Sequence, residues 1–177
     1  MENFNSRFST LALMVIKDIR MERNIPIAAW AEKLGKTPSA LVKIENSQSS
    51  FSIESLFSAG QAIGVFPSVI ISITEKLVST FNKSGFYFSF VLENDEDDLL
   101  RFIKQYYDSS GYANLKLKPD QMVSILNINN PFSAFTSPTI VKYCCNPNFR
   151  KWVNDGAIGI PPSDLDLYSN VASALIK

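Results

Sequence analysis

The sequence predicts a mainly α-helical protein, with a five-helix N-terminal domain and a mostly helical second domain that contains one or two short strands. The first third of the chain consists of short segments with apolar residues three or four apart, separated by polar turns. Alternation typical of strands occurs only in short stretches after residue 85. With 177 residues, 46% of them hydrophobic, the chain can fill its own core. A polar linker at 82–85 separates the predicted domains, residues 1–81 and 82–177.

Helices one to three are short and are delimited by capping residues. Apolar residues at three-residue steps predict the first over residues 9–24. The second, over 26–34, begins with a proline and stops at Gly35, which tolerates the left-handed conformation of a C-terminal cap. Thr37 can cap the third helix, because a proline suited to the first helical position follows it and the apolar spacing continues to residue 45.

Helices four and five have the more extensive apolar faces. Ser52 can cap the fourth, over 53–63, and Gly64 terminates it. The fifth is predicted over 67–81. Its apolar row is longer than a small domain needs, so we predict that the row forms a dimer contact or docks the second domain, with packing inside its own chain as the alternative. The row comprises Val69, Ile70, Ile73 and Leu77.

The second domain mixes both kinds of pattern. Aromatic and apolar residues alternate over 86–92 and predict a strand. A helix capped at Asn94–Asp95 follows, as far as Tyr107. Leu115–Lys118 alternates as a short exposed strand would. Three or four short helices complete the chain, around Asp120–Leu126, Pro138–Cys145, Asn148–Asn154 and Ser163–Ile176.

Composition excludes several classes of function. The chain has no histidine, which removes Ser-His-Asp and Cys-His catalysis and histidine-containing metal sites. Two adjacent cysteines, Cys144 and Cys145, cannot form a four-thiolate zinc site or a secreted disulfide framework, so we expect a reducing, cytoplasmic location. The apolar stretch Leu11–Ile16 is too short for a membrane span. Residues 85–177 offer no nucleophile with a base, and we expect no enzyme, metal or cofactor.

Two very short helices joined by a glycine turn, inside a five-helix unit, have the layout of a helix-turn-helix domain. In this motif one helix crosses the DNA backbone and holds the next helix in the major groove. Arg20 in helix one, Ala31 and Gly35 around the turn, and Glu45 at the end of the third helix are also spaced in a specific way. With these positions, residues 11–73 resemble the Cro- and phage-repressor-like helix-turn-helix regulators, the XRE family.

The resemblance implies roles for individual residues. Arg20 and Glu45 would form a buried ion pair. Pro38, Ser39 and Lys43 fall at base-facing positions of the third helix, where only Lys43 is long enough to reach guanine O6 and N7. Contacts to the phosphates of double-stranded DNA would come from a further set, Lys33, Lys36, Thr37 and Gln48.

Four departures from the family pattern bear on DNA binding and on turns. Ile27 replaces a glutamine that supports a phosphate contact in relatives, and Trp30 replaces a leucine. Asn24 and Ser47 replace glycines. We expect the fold to accommodate all four replacements. We also expect the third helix to make few direct contacts to base edges.

The charge balance, 17 basic and 17 acidic residues, lacks the basic surplus typical of DNA-binding modules. Its distribution changes the interpretation. Residues 1–70 hold seven basic and six acidic residues, and three of the lysines, Lys33, Lys36 and Lys43, cluster at the turn and third helix. We therefore expect a locally positive face with a weak overall electrostatic attraction to DNA.

Three features of the second domain have both a functional and a structural interpretation, and in each case we favour the structural one. The functional interpretation of the acidic run 95–98 is a cation site or a DNA mimic. Its structural interpretation is negative charge that complements the dipole at a helix N-terminus. For Cys144 and Cys145, the functional interpretation is redox sensing. The structural interpretation is that one of them is a core residue and the other is half-exposed. An aromatic cluster lines an effector pocket, or packs in the core. The cluster comprises Phe86, Tyr87, Phe88, Phe90, Phe102, Tyr106 and Tyr107.

The sequence thus predicts a sequence-specific transcriptional regulator, a homodimeric repressor that reads an inverted repeat with its third helix. The second domain would supply dimer contacts or respond to a small-molecule or protein effector. An alternative is an antitoxin-like or adaptor protein that uses the helix-turn-helix fold and the second domain to bind proteins. Retention on a DNA or heparin column across a salt series would distinguish the two.

Overall fold

The structure, a computed structural model, describes residues 3–92, 96–129 and 137–162. It is mainly helical, as predicted, and divides into two compact units, Met1–Leu100 and Arg101–Lys177. This division falls later than the predicted boundary after residue 81, because the strand that follows residue 85 pairs inside the first unit. The elements up to residue 89 are β1 (Phe4–Arg7), α1 (Phe8–Glu22), α2 (Ile27–Lys33), α3 (Pro38–Glu45), α4 (Ile53–Ile63), α5 (Pro67–Lys83) and β2 (Phe86–Ser89).

Helix α1 is the centre of the N-terminal unit. It packs against α3, α4 and α5, and most of its apolar side chains are buried. The predicted caps are confirmed on the neighbouring helices: the Thr37 hydroxyl accepts from the Ala40 N–H at 3.2 Å, and Ser52 accepts from Ser55 at the same distance. Gly35, at the turn between α2 and α3, has a φ of 59°, which is the left-handed region that glycine tolerates best. Local sequence therefore accounts for the end of α2 and for the starts of α3 and α4.

A two-stranded parallel sheet completes this unit. β1 pairs with β2 in the register Phe4 to Phe86, and the Phe4 N–H donates to the Gly85 carbonyl at 2.9 Å. The rings of Phe4 and Phe81 pack on Phe86, with ring centroids 4.9 and 5.1 Å away. β1 was not predicted, because four residues at the start of the chain show no pattern and their partner strand lies some 80 positions later.

The C-terminal unit is built from short helices. Predicted helices are confirmed close to residues 98–108, 139–145 and 147–154, whereas the segment predicted as a helix at 120–126 forms two short 3-10 turns. The elements are α6 (Asp98–Asp108, which begins in the first unit), α7 (Ser110–Lys116), 3-10 turns at Pro119–Gln121 and Ile125–Asn129, α8 (Thr139–Cys145) and α9 (Pro147–Asn154).

The strand predicted at Leu115–Lys118 is wrong. These residues form the end of α7 and the turn after it, where Leu115 is fully buried and its neighbours are exposed. The Ser109 hydroxyl caps the helix by accepting from the Tyr112 N–H at 3.0 Å. Packing of α7 on α9 therefore overrides a local pattern of only four residues.

Gly111 permits that packing, and its replacement tests it. A Cβ at this position would lie 1.9 Å from the Val153 carbonyl oxygen in α9. We expect Gly111→Ala to lower the free energy of unfolding of the C-terminal unit by about 1–3 kcal/mol or more, since backbone must move. Urea unfolding followed by Trp152 fluorescence in a Trp30→Phe background measures this. Ser110→Ala, at the neighbouring exposed position, is the control; equal midpoints for the two variants would contradict the packing.

Within the described residues, none of the helices is by itself long and apolar enough to cross a membrane, and α4 with α5 meets that test only as a pair bent by 107°. The helix predicted at Ser163–Ile176 and the cap predicted at Asn94–Asp95 lie outside the described residues.

Candidate nucleic-acid interface

The third helix presents a distinct exposed face. Leu41 and Ile44 are buried and hold α3 against the core of the N-terminal unit. The residues predicted to face bases, Pro38, Ser39 and Lys43, are all exposed. Because positions three or four apart share one side of a helix, Ser39 and Lys43 lie on the same side, and the exposed Val42 adjoins them. The structure thus brings the predicted base-facing residues together on one accessible surface.

Arg20 and Glu45 join α1 to the C-terminal end of α3. Arg20 Nη2 lies 2.8 Å from Glu45 Oε1, and Arg20 Nε donates to the same oxygen at 2.9 Å. Arg20 Nη1 donates to the Ile25 carbonyl at 2.8 Å, and the guanidinium lies 5.5 Å from the centroid of the Trp30 ring. Both charged side chains are more than nine-tenths buried. The pair fixes the end of α3 relative to the helix beneath it.

Trp30, one of the four departures from the family pattern that the resemblance implies, is fully buried in this region. Within the described residues, its indole N–H has no hydrogen-bond partner. The larger side chain therefore fills the space between α2 and Arg20 and leaves one buried donor unsatisfied.

The four residues predicted to contact phosphates have different surroundings. Lys36 and Gln48 are exposed at the two ends of α3, and Thr37 is exposed although its hydroxyl caps the helix. Lys33 is directed elsewhere, since its Nζ donates to the Ala62 carbonyl at the end of α4, at 3.2 Å. Arg23 also donates there, to the Ile63 carbonyl. Lys36, Thr37 and Gln48 are therefore exposed beside α3, whereas the ammonium of Lys33 is bonded to the end of α4.

The turn residues Asn24 and Ser47, where the resemblance implies glycine, adopt a positive φ. Asn24 has a φ of 53° and Ser47 a φ of 54°. Asparagine tolerates the left-handed region. The side chain of Ser47 gains a compensating contact, because its Oγ lies 3.0 Å from the hydroxyl oxygen of Thr10. Both turns thus form with a non-glycine residue in the left-handed region.

The apolar row predicted for dimer or interdomain contact lies largely in the core. Ile70, Ile73 and Leu77 are each 0% exposed, and only Val69 is half-buried. α5 packs against α1, α4 and β2, all of which belong to the N-terminal unit. The row is long because α5 covers a sheet as well as helices, and the buried three residues are not on a surface that a second chain could reach.

The acidic run has a structural role that extends beyond its own helix. Asp97 Oδ1 accepts from the Leu100 N–H at 3.1 Å, which caps α6. The same carboxylate accepts from the hydroxyls of Ser6 and Thr10 at 2.7 and 2.6 Å. Asp98 Oδ2 accepts from the backbone N–H of Asn5 at 2.9 Å. These two residues therefore hold β1 and the start of α1, and Asp95 lies outside the described residues.

The cysteines follow their structural interpretation, whereas the aromatic cluster follows it only in part, because Phe86, Phe102 and Tyr106 are buried but Tyr87 and Phe90 are 57% and 92% exposed. Cys144 is buried and Cys145 is half-exposed. Arg150 donates to the carbonyls of Tyr143 and Cys144 at the end of α8, at 3.0 and 2.6 Å, and burial lowers the pKa of this guanidinium. Burial likewise raises the pKa of Tyr143. The predicted aromatic cluster is divided between the two units, with Phe86 and Phe88 in the first and Tyr106 and Tyr107 in the second.

One group of polar residues near α3 was not predicted. A cavity of about 260 Å³ lies between the start of α1 and the loop that follows α3. Arg7 and Ser9 contribute to it from one side and residues 47–51 from the other. Local sequence offers no signal for this cavity, because its two sides are about 40 residues apart in the chain.

Comparison with known proteins agrees with the geometry of the N-terminal unit. The sequence model of the helix-turn-helix family matches residues 16–67, a segment that runs from the second half of α1 to the first residue of α5. No curated protein and no solved structure matches the chain. The matched segment contains the turn at Gly35, the exposed face of α3 and the Arg20–Glu45 pair. Residues 16–67, less than a third of the chain, therefore form a helix-turn-helix domain.

Proposed function

We propose that this protein is a sequence-specific transcriptional regulator, a homodimeric repressor that places α3 in the major groove of double-stranded DNA. The observation that carries the proposal is the exposed face of α3, mounted on a rigid support. Leu41 and Ile44 anchor the helix in the core, and the Arg20–Glu45 pair holds its C-terminal end. Base-reading side chains must be held this way, because a displaced helix would lose its hydrogen bonds to base edges.

Direct base reading would depend chiefly on Lys43. Its ammonium can donate to O6 and N7 of guanine, whereas Ser39 can bond to either kind of base. Pro38 and Val42 offer apolar surface for a thymine methyl group. Lys36, Thr37 and Gln48 would contact phosphates on either side of the helix and fix its register without reading sequence. Such a site reads few base pairs per subunit, so two subunits are needed for a specific operator.

The homodimer requires a surface other than the buried row on α5. The N-terminal unit has large exposed apolar side chains elsewhere, at Ile53 and Phe57 on one side of α4 and at Phe66 before α5. Apolar side chains exposed to this extent, between 54 and 79%, are suited to contact with another protein surface. The C-terminal unit would add dimer contacts or bind a small-molecule or protein effector. Sedimentation at micromolar concentration should give a dimer; a strict monomer with and without DNA would contradict this part.

Selection of bound fragments from random DNA tests the proposal as a whole. We expect enrichment of an inverted repeat, because a two-fold symmetric dimer presents two copies of α3 to two half-sites. Half-sites should be separated by about one helical turn, 10–10.5 base pairs, or a multiple of it. If no DNA sequence is enriched and the protein binds protein partners instead, the proposal is wrong and the adaptor alternative is favoured.

A further inference from the structure

The cavity beside α3 is polar and contains one cation. Its polar lining residues are Arg7, Ser9, Ser47, Gln48, Ser49 and Ser50, and Leu13 and Phe51 form its apolar part. Among the described residues that line it, none is acidic. A guanidinium with several hydroxyl and amide donors is the donor set that proteins use for phosphate oxygens. The chemistry of the cavity therefore matches a phosphate group.

A hydrogen-bonded frame fixes the two sides of the cavity relative to each other. Arg7 Nη1 donates to the Ser47 carbonyl at 3.4 Å, and its backbone N–H donates to Asp97 Oδ2 at 3.3 Å. Thr10 links the same two partners: its Oγ1 lies 2.6 Å from Asp97 Oδ2 and 3.0 Å from Ser47 Oγ. Asp97 itself is not among the residues that line the cavity. The loop after α3 and the start of α1 are thereby held as one surface before any ligand arrives.

The cavity lies next to the C-terminal end of α3. The Gln48 N–H donates to the Lys43 carbonyl at 2.8 Å, and the Ser47 N–H donates to the Ile44 carbonyl at 2.9 Å. The rim of the cavity is thus about one helical turn, roughly 5 Å, from the backbone of Lys43. The major groove is only about 12 Å wide and is bordered by phosphates. A helix that places Lys43 at a base edge therefore brings a DNA strand against this rim.

We propose that the cavity receives one phosphodiester group of the DNA backbone, with Arg7 as its cation and with the hydroxyls of Ser9, Ser49 and Ser50 and the amide of Gln48 as further donors. The inference rests on the proposed function and adds a backbone contact from Arg7 at the end of β1, outside the segment that matches the helix-turn-helix family. Arginine suits this role because its planar fork can give two parallel hydrogen bonds to phosphate oxygens. Asp97 and Thr10 act as positioning residues that hold Arg7 and Ser47 at the rim.

The salt dependence of DNA binding by Arg7→Gln tests the proposal in the full chain, on a duplex selected with wild-type protein. The loss of one phosphate contact should reduce the magnitude of the slope of log affinity against log salt by about 0.9 for each bound subunit. The loss of affinity should be uniform across operator variants, because a backbone contact reads no sequence. Lys83→Gln, which removes an exposed cation at the end of α5, is the matched control and should leave the slope unchanged.

Arg7→Lys separates charge from geometry. It should restore the wild-type slope while leaving affinity several-fold weaker, since lysine keeps the charge but lacks the fork. A wild-type slope for Arg7→Gln, or inorganic phosphate whose binding depends on Arg7 while DNA binding does not, would overturn the phosphodiester assignment. These results differ from failure of the proposed function, in which wild-type protein itself enriches no DNA sequence.

Discussion

Replacement of Glu45 by alanine is expected to lower the free energy of unfolding of the N-terminal unit by about 3–5 kcal/mol, because it leaves a buried guanidinium without its carboxylate. Arg20 is 6% exposed, and without Glu45 it retains the Ile25 carbonyl and the face of Trp30. Neither neutralises its charge. Urea unfolding followed by Trp30 fluorescence, in a Trp152→Phe background, measures the loss in this unit.

Lys17 supplies the matched control for that experiment. Its Nζ lies 3.9 Å from the second oxygen of Glu45, at the edge of the pair. Lys17→Ala should cost under about 1 kcal/mol, as peripheral ion pairs do. Replacing Arg20 and Glu45 together with apolar residues should cost less than Glu45→Ala alone, since no charge is left buried. Equal unfolding midpoints for Glu45→Ala and Lys17→Ala would show that the pair does not hold α3.

Lys43→Ala is expected to have the largest effect on operator recognition. If its ammonium contacts guanine, the variant loses about 1–3 kcal/mol of binding free energy and relaxes the preference at one base pair of each half-site. The side chain is exposed and lies beyond the core contacts of α3, so stability should change little. Titration of operators mutated one position at a time gives both the affinity and the preference.

Lys36→Ala distinguishes base reading from general electrostatics. This residue lies in the turn before α3 and is exposed. Its loss should weaken binding to all sequences alike and reduce the magnitude of the salt slope by about 0.9 for each bound subunit. If Lys43→Ala behaved in the same way, or if it bound every duplex as tightly as wild type, Lys43 would not be a base contact.

Much of the N-terminal fold is encoded in local sequence. Thr37, Ser52 and Gly35 act within one turn of their own helices, so their effects are visible without tertiary structure. The strand predicted at 115–118 shows the limit of such reasoning. Four alternating residues could not be distinguished from the end of a helix until the packing of α7 on α9 was known.

The candidate site was predictable in part for the same reason. Pro38, Ser39 and Lys43 lie on one helix, so their common exposed face follows from helical spacing alone. The direction of Lys33 did not follow, because its partner, the Ala62 carbonyl, is in another helix. The position of Arg7 beside the loop after α3 could not be predicted either, because Ser47 and Asp97, the residues that it contacts, are 40 and 90 positions away in the chain.

The sequence by itself determined the helical class, the helix-turn-helix spacing and the absence of histidine chemistry, because each depends on residue identity or on neighbours within a few positions. Only the tertiary structure decided that β1 and β2 pair, that Ile70, Ile73 and Leu77 belong to the core, and that Thr10 joins Asp97 to the loop after α3. These contacts join segments tens of residues apart. Their partners are selected by packing and hydrogen-bond satisfaction in the folded chain, which leaves no periodic trace in the sequence.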